Sequence, residues 1–328
     1  MLTPRRRAPV GARTLVGVAA GLSLLLAACG SDDSTNESAA IDVAVTEAPA
    51  TTESSSEATG TATPDEASGS IPERIVSLSP THTEILFAIG AGDLLVAVDD
   101  QSNYPAEVAD LPNDLSGFEP NVEAIAAYEP DLVVIGGDFT GLGEQLDAVG
   151  IEWWDGPAAL TLDDTYAQIA ELGDVTGTSE AADALVAQMQ ADIDEIVAAT
   201  PVPPEPLSLY HELDPTLFSA DSTTFIGELY SLLGLRNVAD GAEGDSGGFP
   251  QLNAEFLVSA NPDLIFLADT KCCFETAQTV AERPGWDAIA AVKNGNVFEM
   301  DDDIASRWGP RVVDYLREVS DAVAQALG

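Results

Sequence analysis

The chain has 328 residues, a formal net charge of −44 at pH 7 and 45% apolar residues. A surface this acidic repels phosphate backbones, which excludes nucleic acid as a partner. The acids are spread along the whole chain, which suits a solubilising role better than one local binding block.

At the start, Arg5, Arg6, Arg7 and Arg13 precede an apolar run from Leu15 to Ala28, which closes in Leu26-Ala27-Ala28-Cys29. Charged residues, a short apolar stretch and small residues before a cleavage point predict a secretory leader over 1–28. The run falls short of the roughly 20 apolar residues that span a bilayer. Cysteine at that point resembles the lipobox of bacterial lipoproteins. That resemblance implies a diacylated (palmitate-type) Cys29 at the new N-terminus and an extracytoplasmic protein tethered to the cell membrane by its lipid. Residues 29–70 are Ser, Thr, Ala, Pro and acids with few large apolar side chains, so they bury too little to order and read as a linker.

Dense apolar patterning begins at Ile71 and leaves enough chain for two domains with cores of their own. Arg74 to Leu78 reads as a strand broken by Ser79-Pro80-Thr81, and Ile85, Leu86 and Ile89 then fall at helical spacing before Gly90. Leu94 to Val98 and Leu132 to Ile135 are further strands. Ser179 to Ala199 carries no Gly or Pro and places Ala182, Leu185, Val186, Met189, Ile193, Ile196 and Val197 on one face, a helix of about 30 Å. Pro201, Pro203, Pro204 and Pro206 end it. Beyond it Leu207 to Tyr210, Leu264 to Leu267 and Val297 to Met300 are the strands of a second unit. The expected architecture is α/β, with two similar Rossmann-like lobes on parallel sheets, over 71–178 and 201–328, joined by one long helix over 179–200. A stiff connection of this kind predicts small lobe movements.

The two units repeat each other. Asn121-Val-Glu123-Ala-Ile125 with Pro130-Asp131-Leu132 returns 132 positions later as Asn253-Ala-Glu255-Phe-Leu257 with Pro262-Asp263-Leu264. Glu84-Ile85-Leu86 and Gly90 recur as Glu228-Leu229-Tyr230 and Gly234. Such spacing is too long for a solenoid and suits two half-size domains that enclose a cleft. Asn121 and Asn253 read as N-caps, with Glu123 and Glu255 favoring the helix dipoles.

Arg74-Ile-Val-Ser-Leu-Ser-Pro-Thr-His-Thr-Glu84, Tyr104-Pro105, Pro130-Asp131, Phe249-Pro250-Gln251 with Glu255, and Arg307-Trp-Gly-Pro310-Arg311 together resemble the substrate-binding proteins of ABC importers for iron chelates, haem and cobalamin. The resemblance covers residues 71 to 328. It implies a monomer without an intrinsic cofactor that captures a metal chelate, a ferric siderophore first and cobalamin or haem as the alternative, and delivers it to a permease and its ATPase. It also implies ligand contacts near Tyr104, Phe249 and the turn from Asp303 to Arg307, and docking of Glu123 and Glu255 onto permease arginines.

The residues support these roles in different ways. Tyr104, Phe249 and Trp308 sit at or near loop positions, where an aromatic face suits a large organic chelate, although aromatics are commonly core. Arg307 offers a fork of donors for a carboxylate, phosphate or hydroxamate oxygen, while Arg311 has Asp314 as a nearby acid. With so few cations, a polyanionic catecholate is disfavored. His82, at a helix start, reads as a polar cleft or capping residue, and His211 beside Tyr210 as a possible haem ligand; their spacing defines no bare-metal site. Cys272 and Cys273 fall on a loop that the resemblance turns toward the cleft; a vicinal disulfide, two thiols and an intermolecular bridge all remain open.

An enzyme reading comes from Gly244-Asp245-Ser246-Gly247-Gly248, which reads like the nucleophile motif of trypsin-like proteases. That chemistry needs a histidine base and a buried aspartate on an all-β scaffold, and neither histidine has the matching context. The protein is therefore expected not to be an enzyme.

Overall fold

The computed structural model describes residues 70–244 and 246–328. The leader, Cys29, the linker up to residue 69 and Asp245 lie outside the described residues. The first lobe contains β1 (Ile75–Ser77), α1 (Pro80–Ala88), β2 (Leu95–Val98), α2 (Val122–Ala126), β3 (Leu132–Ile135), α3 (Leu142–Val149) and β4 (Glu152–Asp155). Two helices follow, α4 (Leu162–Thr176) and α5 (Ser179–Ala199). The second lobe holds β5 (Ser208–Glu212), α6 (Phe225–Leu232), β6 (Arg236–Asn237), α7 (Ala254–Ala260), β7 (Leu264–Leu267), α8 (Ala277–Ala281), α9 (Ala290–Asn294), β8 (Val297–Glu299), α10 (Asp302–Ser306) and α11 (Val312–Leu327).

Both sheets are parallel, and their strand orders, β2-β1-β3-β4 and β6-β5-β7-β8, are the same plan written twice. Every residue of β3 and β7 is buried, as a strand covered on both faces requires. The fold is therefore α/β, with two Rossmann-like lobes joined through α5.

The repeated sequence motifs do matching structural work. Asn121 caps α2 by accepting from Ala124 N, and Asn253 caps α7 from Phe256 N, each at 2.9 Å. Glu123 and Glu255 stand exposed in the first turns of those helices. Asp131 accepts the backbone N–H groups of Glu73 and Arg74 just ahead of β1, and Asp263 accepts Ser208 N at the head of β5. Each Pro-Asp thus pins a neighboring strand to its own. Gly90 and Gly234, at φ +82° and +70°, follow the ends of α1 and α6 in the left-handed region that glycine tolerates without strain.

One apolar core runs through both lobes. Ile85 and Leu86 of α1, Ile169 of α4, Ile193 of α5, Tyr230 of α6 and Leu316 of α11 belong to the same buried cluster, and separate clusters cover the outer face of each sheet. The connection is also broader than one crossover helix. Thr161 and Asp164 form a capping box that starts α4, which pairs with α5 as a helical hairpin, and α5 packs in turn on α11. At the far end of α5, the Thr200 and Ser320 hydroxyls meet at 2.7 Å.

Ile193 is buried where α5 enters this shared core. Ile193→Ala should lower unfolding stability by about 2–5 kcal/mol. In urea titration this appears as a fall in midpoint with an unchanged slope.

Candidate functional site

In the first lobe the connection after β1 runs to β2 on one side and the connection after β3 runs to β4 on the other, so a crevice opens at the carboxyl edge between β1 and β3. A cavity of about 620 Å³ lies there. The loops after β1, β2 and β3 supply Ser79, Asp99 and Gly136, and the second lobe closes the other side with Asp303, Ser306, Arg307 and Trp308. The two halves share one hollow. Phe118 and Phe139 also line it, 79% and 87% exposed with their rings free of a packed core.

The lobes are clasped beside this cavity by charge. Glu84 of α1 is buried, and Arg311 grips it with two hydrogen bonds of 2.8 and 2.6 Å. Arg307 adds a third at 2.8 Å. The remaining Arg307 bonds go to Asn103 Oδ1, Gln101 O and Asp303 Oδ1 at 2.9–3.0 Å. Arg307, expected to clamp a ligand oxygen, lines the cavity while its donors are engaged by protein acceptors that tie α10 to the first lobe. Arg311 pairs with Glu84 and leaves Asp314 to Arg317. Its guanidinium also lies 4.3 Å from the Tyr104 ring centroid, a cation–π contact across the lobes.

His82 was expected to be a polar cleft or capping residue. It is fully buried, with Nδ1 accepting from Ser79 Oγ at 2.7 Å and Nε2 donating to Gln168 Oε1 at 3.0 Å. Both ring nitrogens are satisfied within the protein. It works from behind the wall, because the same Gln168 oxygen accepts Trp308 Nε1–H at 3.0 Å while Gln168 Nε2 donates to Pro157 O. A histidine and a glutamine of the first lobe thereby orient a cavity-lining indole of the second. Trp154 and Trp308 meet the imidazole edge-on.

Other expected residues lie outside the cavity wall. Tyr104 and Phe249 are 46% and 45% exposed, but neither lines the hollow. Cys272 and Cys273 are joined to each other as a vicinal disulfide, also off the wall. The disulfide loop is tied to α10 by Asp302, whose carboxylate accepts the backbone N–H groups of Thr270, Lys271 and Cys272. Lys271 pairs with Asp301 and Asp303. Desolvation works to raise the Asp303 pKa, but bonding to Lys271 and the charge of Arg307 outweigh it and hold this carboxyl below its usual range.

The second lobe's equivalent crevice, between β5 and β7, contributes no wall to this cavity. Where the first lobe has Leu78 and Gly137, the second has buried Glu212 and Asp269. Arg283 bonds both Glu212 oxygens at 2.6 and 2.5 Å and reaches Glu275 at 2.8 Å. Burial first, and the Glu212 charge next, push Asp269 up to about 7. His211 is buried against Tyr230 OH at 2.8 Å, so it is withdrawn from any haem. Ser246 is exposed, whereas both imidazoles are fully buried, so neither is presented at the surface as its base.

Residues 75–304 match the family described as periplasmic binding protein. The chain belongs to the periplasmic binding protein family. It is 31% identical over 262 residues to "Uncharacterized ABC transporter substrate-binding lipoprotein YvrC" of Bacillus subtilis (strain 168), covering 77% of this chain and 80% of that one. A "Cobalamin-binding protein" of Halobacterium salinarum (strain ATCC 29341 / DSM 671 / R1) is 27% identical over 259 residues, covering 76% and 69%. The crystal structure of a possible iron-binding (periplasmic solute-binding) protein from Staphylococcus epidermidis ATCC 12228 superposes with a TM-score of 0.68 at 25% identity, over 77% of this chain and 99% of that one. In this periplasmic binding protein the acidic second crevice explains why the hollow is formed chiefly by the first lobe.

Burial pushes the His82 imidazole down to about 4, against the Gln168 bond that works to raise it. The unfolded chain takes up this proton near its ordinary value of 6.5, so it binds more protons than the native state between about pH 6.5 and 4. The contribution is full above pH 6.5 and is lost as pH falls through that window. His82→Gln should remove about 2 kcal/mol of the wild-type stability loss between pH 7 and pH 5. Urea titrations at the two pH values test this, and equal slopes in both proteins would refute it.

Proposed function

We propose that this protein is the solute-capturing lipoprotein of an ABC importer, holding a metal chelate, a ferric siderophore or a corrinoid, between its lobes and presenting it to a permease. The observation that carries the reading is the inter-lobe cavity with Phe118 and Phe139 turned into it unpaired. Large exposed aromatic faces in a concave site are what a flat or globular organic chelate needs, and about 620 Å³ falls within the range of small-molecule sites, roughly 300–1,000 Å³. The names of the Bacillus and Halobacterium relatives support transport and a corrinoid, and that of the Staphylococcus structure supports an iron ligand.

Trp308 lines the hollow from the second lobe, and the half-exposed Tyr104 and Phe249 are offered as further chelate contacts outside its wall. Haem is the weaker alternative because both histidines are fully buried and neither lines the cavity, so no imidazole is presented there to its iron. Glu123 and Glu255 serve as the two permease contacts: each is exposed at a matching place on its lobe, and neither lines the cavity. Cys29 carries the lipid that keeps the protein at the membrane, a reading supported by the leader pattern and by the Bacillus relative's description as a lipoprotein.

Native mass spectrometry with ferrioxamine, ferric citrate, haem and cobalamin tests the ligand class. At least one should bind below about 10 μM, near −7 kcal/mol; if none does, the transport reading fails. Charge reversal of Glu123 and Glu255 together should abolish uptake by cells while leaving chelate affinity within about twofold, about 0.4 kcal/mol. Equal loss of both would end the docking assignment.

A further inference from the structure

Three cations border the cleft, and acids hold all of them. Arg307 lines the cavity but is bonded to Glu84 and Asp303, Arg311 is gripped by Glu84, and Lys271 lies between Asp301 and Asp303. Against these three stand five carboxylates, those of Glu84, Asp99, Asp301, Asp302 and Asp303. The excess continues along the same edge, where Asp138 accepts Leu142 N and Gly143 N and Asp155 accepts Gly137 N. Among the described residues, neither has an ion-pair partner.

We infer that the cleft selects metal chelates of zero or positive net charge, and that Glu84 is the residue that sets this selectivity by withdrawing Arg307 and Arg311 from the ligand. The inference deepens the proposed function and rests on the cleft being the chelate site. A ligand anion that recruits Arg307 takes one of three hydrogen bonds from the buried Glu84 carboxylate, and taking Arg311 as well would leave that carboxylate uncompensated, so both exchanges are opposed. Salt screens these groups little, because the clasp is buried. Phe118 and Phe139 supply attraction that needs no charge.

The test is isothermal titration of the whole mature protein near neutral pH with cyanocobalamin (uncharged), ferrioxamine B (cationic), haem (dianionic) and a ferric tris-catecholate (trianionic). The uncharged or the cationic probe should bind at least about tenfold more tightly than either anion. Glu84→Gln leaves an amide facing two guanidiniums and should raise affinity for the anionic probes by at least about tenfold. Should that variant not fold, Asp303→Asn, at a half-exposed wall position, should move anion affinity in the same direction. An anionic probe that binds the native protein as tightly as cyanocobalamin overturns charge selection while the transport reading stands; absence of binding by every probe overturns both. Unchanged anion affinity in the variants that fold overturns the role given to Glu84.

Discussion

The structure depends on one buried carboxylate. Glu84 rises from the first helix of the first lobe and is held by two guanidiniums of the second. A desolvated ion group of this kind is weak evidence for net stability, since apolar replacements are often as stable, but removing one partner alone costs about 3–5 kcal/mol. Its value here is positional. It fixes the distance between α1 and the chain from α10 to α11 beside the cavity. The partner interaction is reciprocal, because Glu228, the repeat's counterpart on α6, accepts Leu162 N at the start of α4 from 2.8 Å. Each lobe therefore sends the glutamate of its first helix to an element beyond its own sheet.

These polar ties act on lobes that already share an apolar core. Helices α1, α4, α5, α6 and α11 pack as one layer between the sheets, so a large hinge motion would have to expose part of that layer to water. The bond from Gln168 to both His82 and Trp308 adds a polar strut at the cavity wall. Small adjustments of Phe118, Phe139 and Tyr104, which are exposed, cost far less than separating the lobes.

Much of the architecture was legible because it rests on local pattern. Apolar runs bounded by Pro and Gly marked β1, β3, β5 and β7, the Gly-free stretch marked α5, and the offset of 132 marked the duplication. Helix α4 was passed over, although Thr161 and Asp164 carry a legible capping box. The site was legible only as a set of loops. Arg307 was read as a ligand clamp because its partner Glu84 lies 223 residues away, and no local rule pairs charges at that distance. His82 looked available for the same reason, since Gln168 approaches it only through the fold. Phe118 and Phe139 were missed because they stand in aperiodic segments. The signal was there in chemical form: an aromatic set among Ser116, Gly117 and Pro120, or beside Gly136 and Gly137, has little chance of joining a periodic core face.

Duplication explains the shape, and divergence at two positions explains which half holds the hollow. Strand register aligns Leu78 with Glu212 and Gly137 with Asp269. In the first lobe a leucine and a glycine leave space at the switch point, and Gly137 adopts φ +105° as its amide turns to Asp155. In the second, two carboxylates occupy the same crevice, and both Asp269 oxygens lack a hydrogen-bond donor. Such a pair resists ionising twice in a buried place, so burial and the Glu212 charge keep the Asp269 proton on up to about pH 7 while Arg283 compensates Glu212. Filling one crevice with two buried acids turns that lobe into a backing surface. The hollow is then left to the lobe whose switch point stayed apolar and small.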